Sequence, residues 1–268
     1  MNPGSTSLDQ PSPETAGLID VSAWTGNWPF TKLRYGGLPE LKVKLQSLQV
    51  ARAFVAPIEA ILEQDPSRAN KELLAATDDP FWSPVPVIDL SYANWQETFA
   101  YAANDSRVKM VKLLPNYHMY ELSESKLQPL VALARQRSLV ISIQIRVEDV
   151  RGQYPLMKVA DVDVLQAANI ALRFPEQPFL LGNLHAAELR EALRAADNVY
   201  ADLASLEQVD IVKEVEERYP AERVLFATHS PFYFPEAAVY KLRLTEAGPD
   251  TVRAIGSANA RRLFEPPA

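Results

Sequence analysis

Residues 223–232 read RVLFATHSPF, and this stretch decides the fold predicted for the chain. The letters VLF form a short apolar run of β-prone residues, which ends at small and polar residues before Pro231. A buried strand that presents a histidine just before a proline-fixed loop suits the place where a barrel enzyme keeps a reactive group. The other interpretation is an ordinary core strand and loop, in which His229 has no functional role.

Seven further strand-like runs precede this stretch, and segments with helical spacing of their apolar residues follow them. The predicted strands lie at residues 18–21, 51–57, 84–90, 108–114, 139–145, 179–184, 199–203 and 224–228. The predicted helices lie at residues 39–48, 67–77, 94–104, 123–136, 161–172, 186–196, 206–219, 235–244 and 251–264. Strands joined by single helices form a parallel sheet with right-handed crossovers. Eight such units predict a single α/β domain at residues 17–268, a (β/α)₈ TIM barrel. The alternative is an open doubly wound sheet, but the first strand is not followed by the Gly-rich phosphate loop that would support it.

Composition narrows the range of partners. The net charge of −7 disfavours nucleic acid or an anionic membrane surface as the main partner. The absence of cysteine removes disulfides, thiolate zinc sites and cysteine nucleophiles. Residues 1–16 lack the features of a signal peptide and are predicted to be a disordered tail, and no apolar run is long enough for a membrane span. We expect a cytoplasmic protein with a small-molecule substrate, and a homo-oligomer is left open.

Functional residues of such a barrel lie just past the carboxyl ends of the strands. The residues at these positions are Ser22, Trp24, Pro57, Asp89, Asn116 to His118, Gln144, His185, Asp202 and His229. Their spacing alone does not form a metal signature.

Four segments resemble the amidohydrolase-related family, a branch of the metal-dependent amidohydrolase superfamily. IDVSAWTG at residues 19–26 stands where the family has I-D-x-H-x-H-x-G, and VKLLPNYHMYEL at 111–122 is similar to its K-L-x-P-N-Y-H segment. RVLFATHSPF resembles R-[IVL]-L-F-G-[ST]-D-x-P-F, and IGSANARRLF at 255–264 resembles the closing helix of the family. The resemblance runs in order along the chain, and it implies a (β/α)₈ barrel.

The resemblance also implies that most of the metal ligands are substituted. The two first-strand histidines of the family fall on Ser22 and Trp24, the fifth-strand histidine on Gln144, and the eighth-strand aspartate on His229. The histidine after the sixth strand is retained as His185. A catalytic zinc ion takes about three imidazole or carboxylate ligands, and an indole N–H only donates. We therefore expect no metal cofactor, with zinc or another divalent ion disfavoured.

His185 and His229 are the candidate catalytic residues. A neutral imidazole serves as a general base near neutral pH, and its conjugate acid serves as a general acid. The alternative for His229 is a pocket histidine that is hydrogen-bonded to a neighbour. The alternative for His185 is a strand-end histidine that is satisfied by the backbone.

The remaining candidates are predicted to bind substrate: Ser22, Trp24, Lys112, Asn116, His118, Gln144 and Arg146. An inward Lys112 would be a cation for a carboxylate or a desolvated nucleophile, and an outward one would lie between helices. Gln144 offers a donor and an acceptor, and Arg146 suits a carboxylate or phosphate unless the strand ends before it. His118 is expected to shape the pocket. Trp24 either lines a pocket for a planar ligand or, as we favour, plugs the barrel mouth.

Two functions of different class follow. The first is an amidohydrolase-like hydrolase that acts without a metal on a small carbonyl or carboxylate compound such as an amide or lactone. The second is an inactive relative that serves as a ligand-binding or structural protein. The two functions predict different geometries. A single open cavity reached by both histidines would favour the hydrolase, whereas a Trp24 side chain that fills this space would count against it.

Overall fold

Eight parallel strands alternate with helices through residues 17–265, the part of the chain that the computed structural model describes. The strands are β1 (Leu18–Thr25), β2 (Val50–Pro57), β3 (Trp82–Pro84), β4 (Met110–Leu113), β5 (Val140–Gln144), β6 (Phe179–Gly182), β7 (Val199–Asp202) and β8 (Val224–Leu225). The main helices are α1 (Leu38–Ser47), α2 (Ser67–Ala76), α3 (Trp95–Ala103), α4 (Glu124–Gln136), α5 (Val164–Leu172), α6 (Ala186–Ala195), α7 (Ile211–Arg218), α8 (Pro235–Arg243), α9 (Pro249–Arg253) and α10 (Asn259–Phe264). The tail predicted at residues 1–16 lies outside the described residues.

Backbone hydrogen bonds join the two sheets into a barrel. The sheets contain β1–β3 and β4–β8, each in chain order. At one seam, Lys112 donates its N–H to Pro86 O at 2.9 Å and accepts from Ile88 N at 2.9 Å. At the other seam, Val21 N donates to Phe226 O at 3.0 Å. The predicted (β/α)₈ barrel is therefore confirmed.

The core lies in two layers because successive strand residues point to opposite faces. In β5, Val140 packs inside the barrel, whereas Ile141 and Ile143 pack outward against the helices. The helices meet this outer layer with apolar stripes. In α4, Leu127, Leu130, Val131 and Ala134 are buried, and the hydroxyl of Ser123 accepts the N–H of Lys126 as a cap.

Three of the differences between predicted and observed boundaries have a clear physical cause. β3 ends at Pro84 because Pro84 and Pro86 have no N–H for a ladder, and only Val87 continues the pairing with β4. Helix α7 begins at Ile211, five residues later than predicted, because the Asp210 side chain caps it by accepting from the N–H of Lys213. The last strand is shorter than predicted because Phe226 donates its N–H to Ile255 O instead of to a strand.

The helices of residues 17–265 are too short or too polar to cross a bilayer.

Candidate functional site

The carboxyl end of the barrel interior holds a buried lysine. Lys112 of β4 and Gln144 of β5 both point inward and are at most 1% exposed. The Lys112 ammonium donates to Gln144 Oε1 at 2.6 Å, and Gln144 Nε2 donates to Arg146 O at 2.8 Å. Both ends of the Gln144 amide are thus used within the protein.

Trp24 covers this pair from the end of β1. It is 0% exposed, and the Lys112 ammonium nitrogen lies 4.6 Å from the centroid of its ring. Ile19 and Val21 also face the interior, so a strict period of two would turn Trp24 outward. An irregularity in the pairing of β1 with β2 between Asp20 and Ala23 removes that conflict. The indole therefore fills the barrel centre.

His229 is locked in one tautomer. The indole N–H of Trp24 donates to His229 Nδ1 at 3.2 Å, so this nitrogen carries no proton. The proton is on Nε2, which donates to Val147 O at 2.7 Å. Burial, with a smaller contribution from the charge of Lys112, lowers the pKa of His229 to about 3. The imidazole is neutral at physiological pH, and neither nitrogen is free.

Two carboxylates are buried around this cluster. Asp20 accepts the N–H groups of Ser22 and Thr228 at 3.0 Å and the Thr228 hydroxyl at 2.5 Å. Burial raises the pKa of Asp20 to about 6, against the effect of these donors. Asp202 accepts from Asn183 N and Ala204 N, and burial raises its pKa also. Asp20 ties β1 to the loop that follows β8, and Asp202 fixes the loops that follow β6 and β7.

Arg146, predicted to bind substrate, has protein partners instead. Its side chain is 2% exposed. Its Nε donates to Asp161 Oδ2 at 2.9 Å, its Nη2 to Glu188 Oε1 at 2.5 Å, and its Nη1 to Asn183 O at 2.5 Å. The guanidinium therefore ties β5 to the loops before α5 and α6.

Three other candidates lie around the barrel end. Ser22 is buried, and its hydroxyl has no partner among the described residues. The Asn116 amide donates to Ala160 O at 3.0 Å. His118 Nε2 lies 3.0 Å from Ala60 O, and burial lowers its pKa. Asn116 and His118 therefore tie neighbouring loops to the barrel.

The two candidate catalytic histidines have different environments. His185 is exposed at the start of α6, where its backbone N–H donates to Glu188 Oε2 at 2.7 Å. His229 is 0% exposed. Of five cavities in residues 17–265, none is lined by either histidine.

A cavity beside the barrel centre was missed by sequence reasoning. Its volume is about 300 Å³, and we call it the mouth cavity. Loops after β5, β7 and β8 line it together with α8, with Arg151, Ser205, Glu207, Tyr233, Phe234 and Lys241 among the residues on its wall. Its sequence signal was the aromatic run FYF at residues 232–234, which directly follows the stretch RVLFATHSP.

Within residues 17–265, the histidine and carboxylate side chains form no group of three that could hold a metal ion. At the barrel centre, the buried Lys112 ammonium lies between the Gln144 amide and the Trp24 ring.

The family model described as Amidohydrolase matches residues 39–265 of this sequence. The chain belongs to the amidohydrolase family. This confirms the resemblance seen in the motifs, although the match does not include the first-strand segment at residues 19–26. No curated protein sequence matches the chain.

Solved structures of other proteins share the barrel. The 2,6-dihydroxybenzoate decarboxylase from Rhizobium superposes with a TM-score of 0.68 at 14% identity, over 93% of this chain and 99% of its own. An amidohydrolase from Mycobacterium avium subsp. paratuberculosis gives 0.64 at 12% identity, over 86% and 74%. The 5-carboxyvanillate decarboxylase from Novosphingobium aromaticivorans, complexed with manganese and 4-hydroxy-3-methoxy-5-nitrobenzoic acid, gives 0.69 at 10% identity, over 98% and 100%. At these identities the likeness shows the fold.

Proposed function

We propose that this chain is an amidohydrolase-family protein that works without a metal at the barrel centre and binds a small carbonyl or carboxylate compound in the mouth cavity. The observation that carries this proposal is the position of Trp24 over the buried Lys112. Together these two side chains fill the place at the strand ends where a barrel enzyme holds its reactive groups.

The side chains at the barrel centre do not suit a metal ion. The Trp24 indole only donates, and the Gln144 oxygen already accepts from the Lys112 ammonium at 2.6 Å. Both nitrogens of His229 have partners. A divalent ion about 4 Å from an ammonium is repelled by about 8 kcal/mol at an effective dielectric constant of about 20.

The mouth cavity has the composition of a small-ligand site. About 300 Å³ is the lower end of the usual range for ligand pockets, and the wall combines aromatic rings with a few polar groups. Arg151 offers a cationic donor, Lys241 offers an amine, and Ser205 offers a hydroxyl. Two of the structurally similar proteins are named as decarboxylases of aromatic carboxylates, a ligand class that suits such a wall.

The predicted acid–base role of His185 and His229 stays a prediction, and so does a cytoplasmic location. For proton transfer, His229 would have to give up its bond to Trp24 or to Val147. We therefore favour binding over hydrolysis.

The test uses the full-length protein with 2,6-dihydroxybenzoate as the probe, observed by saturation-transfer NMR with EDTA and with added manganese. We expect binding in EDTA and no consumption of the probe under either condition. An Ala237→Trp variant fills the mouth cavity and should abolish binding, whereas Ala187→Trp on the exposed start of α6 should not. Consumption that depends on manganese, or binding that EDTA abolishes, would refute the proposal.

A further inference from the structure

Lys241 of α8 has an unusual setting at the wall of the mouth cavity. Its side chain is half-buried, and its amino nitrogen donates to Leu203 O at 2.7 Å and to Ala204 O at 2.9 Å. Both carbonyls belong to the loop that directly follows β7. The nitrogen is therefore held at a fixed point between α8 and the barrel.

The two carbonyl bonds orient the remaining valence of this nitrogen. A tetrahedral amine nitrogen has four directions, of which one is the bond to Cε and two are taken by Leu203 O and Ala204 O. The fourth is free of protein partners among residues 17–265, and Lys241 lines the mouth cavity. In the neutral amine, which donates only two protons, the lone pair takes this fourth direction.

The surroundings allow the neutral form near physiological pH. Burial lowers the pKa of Lys241 to about 8, although Asp202 of β7 and Glu207 of the next loop raise it. From the loop after β5, Arg151 and Asp149 face the same cavity, and their side chains pair with each other at 2.8 Å. From the loop after β8, Tyr233 stays neutral because burial raises its pKa.

We propose that Lys241 forms an imine with a small aromatic aldehyde or ketone that is bound in the mouth cavity. The amine lone pair attacks the carbonyl carbon, a C–N bond forms, and the carbonyl oxygen leaves as water with the two amine protons. No oxidant or other reactant is needed. This inference rests on the proposed binding function and narrows its ligand class.

The wall of the cavity favours a flat, apolar body beside the carbonyl group. Phe232, Tyr233 and Phe234 supply aromatic surface, and Ala204 and Ala238 supply a small, buried floor next to Lys241. An aromatic ring stacks or packs edge-on against such side chains. Its carbonyl carbon then lies towards the amine.

Lys112 provides an internal control. Burial lowers its pKa to about 8 as well, but it is 1% exposed and lies beneath Trp24. If a lowered pKa alone decided reactivity, both lysines would react. If access through a cavity decides it, only Lys241 reacts.

The experiment treats the full-length protein with benzaldehyde and sodium cyanoborohydride and maps benzylated lysines by mass spectrometry. We expect Lys241 to be modified at least about tenfold faster than the exposed Lys71, because burial lowers the pKa of Lys241 and so enlarges its neutral fraction. Its rate should rise with a midpoint near pH 8, and Lys112 should stay unmodified. Lys241→Arg, which keeps a cation for the two carbonyls, should remove the modification.

Equal rates at Lys241 and Lys71, or modification of Lys112 at the rate of Lys241, would overturn the imine. Saturation-transfer NMR with benzyl alcohol, which binds but forms no imine, separates the two proposals. Binding of the alcohol without modification by the aldehyde would overturn the imine alone. Turnover that depends on manganese would overturn the proposed function, whatever the result at Lys241.

Discussion

The Lys112 ammonium nitrogen lies 4.6 Å from the ring centroid of Trp24, and both side chains are buried at the centre of the barrel. A desolvated cation–π pair of this kind contributes about 2 kcal/mol or more. The indole also donates to His229, which in turn donates to Val147 O. One aromatic side chain thus covers the lysine and fixes the histidine.

Trp24→Ala should lower the free energy of unfolding by about 3–5 kcal/mol, because it leaves a large cavity over a buried cation. Trp24→Phe keeps a ring over Lys112 and loses only the donor to His229, so its cost should be about 1–3 kcal/mol. Urea denaturation of both variants measures the difference. Equal stability of Trp24→Ala and the wild type would contradict a filled barrel centre.

Asp20→Asn should change how stability depends on pH. The folded-state pKa of Asp20 is raised from 3.8 to about 6, so its contribution to stability is fully present below about pH 4 and is lost as the pH rises through 6. The loss is about 3 kcal/mol. The asparagine keeps an oxygen for the N–H groups of Ser22 and Thr228 and has no such titration.

The measurement for Asp20 is the difference in unfolding free energy between Asp20→Asn and the wild type at several pH values. This difference should shift in favour of the variant as the pH rises from about 4 to about 7. A shift in favour of the wild type would mean that the Asp20 carboxylate is stabilised, rather than disfavoured, by its site.

Arg146→Ala should destabilise the fold by about 3–5 kcal/mol, because it leaves the Asp161 and Glu188 carboxylates without their buried partner. The matched control is Arg173→Ala. Arg173 pairs with Glu124 at 3.0 Å, but its side chain is 64% exposed, so its loss should cost at most about 1 kcal/mol. Thermal unfolding of both variants tests this. Equal effects would contradict a structural role for Arg146.

The two histidines should respond differently to the same substitution. His229→Ala removes a buried ring and both of its hydrogen bonds, and it should cost about 2–4 kcal/mol. His185→Ala at an exposed position should cost at most about 1 kcal/mol. Chemical denaturation measures both. Unchanged stability in His229→Ala, with probe binding lost in both variants, would instead support the predicted acid–base pair.

The fold could be predicted from the sequence because each strand carries its own local signal. LVISIQI at residues 139–145 alternates in and out of the barrel, and its observed strand differs from the prediction by one residue at each end. The errors at β3 and α7 have local causes, the prolines and the Asp210 cap. At the last strand a hydrogen bond from a distant part of the chain decided the boundary, because Phe226 donates its N–H to Ile255 O.

The environments of the candidate site residues were less accessible to prediction, because they depend on contacts between distant segments. Arg146 follows β5 at the carboxyl end of the barrel, but no pattern in the sequence indicated that Asp161 and Glu188 would pair with its guanidinium. Lys241 lies on a helix rather than at a strand end, so the rule that located the other candidates excluded it. Trp24 is buried at the barrel centre, and its favoured plugging role stays a prediction.

The most direct test of a metal-free barrel centre is elemental analysis of the full-length protein after incubation with manganese and zinc and removal of unbound ions. We expect far less than one equivalent of either metal per chain. One equivalent of bound metal per chain that is lost in a Gln144→Ala variant would contradict it.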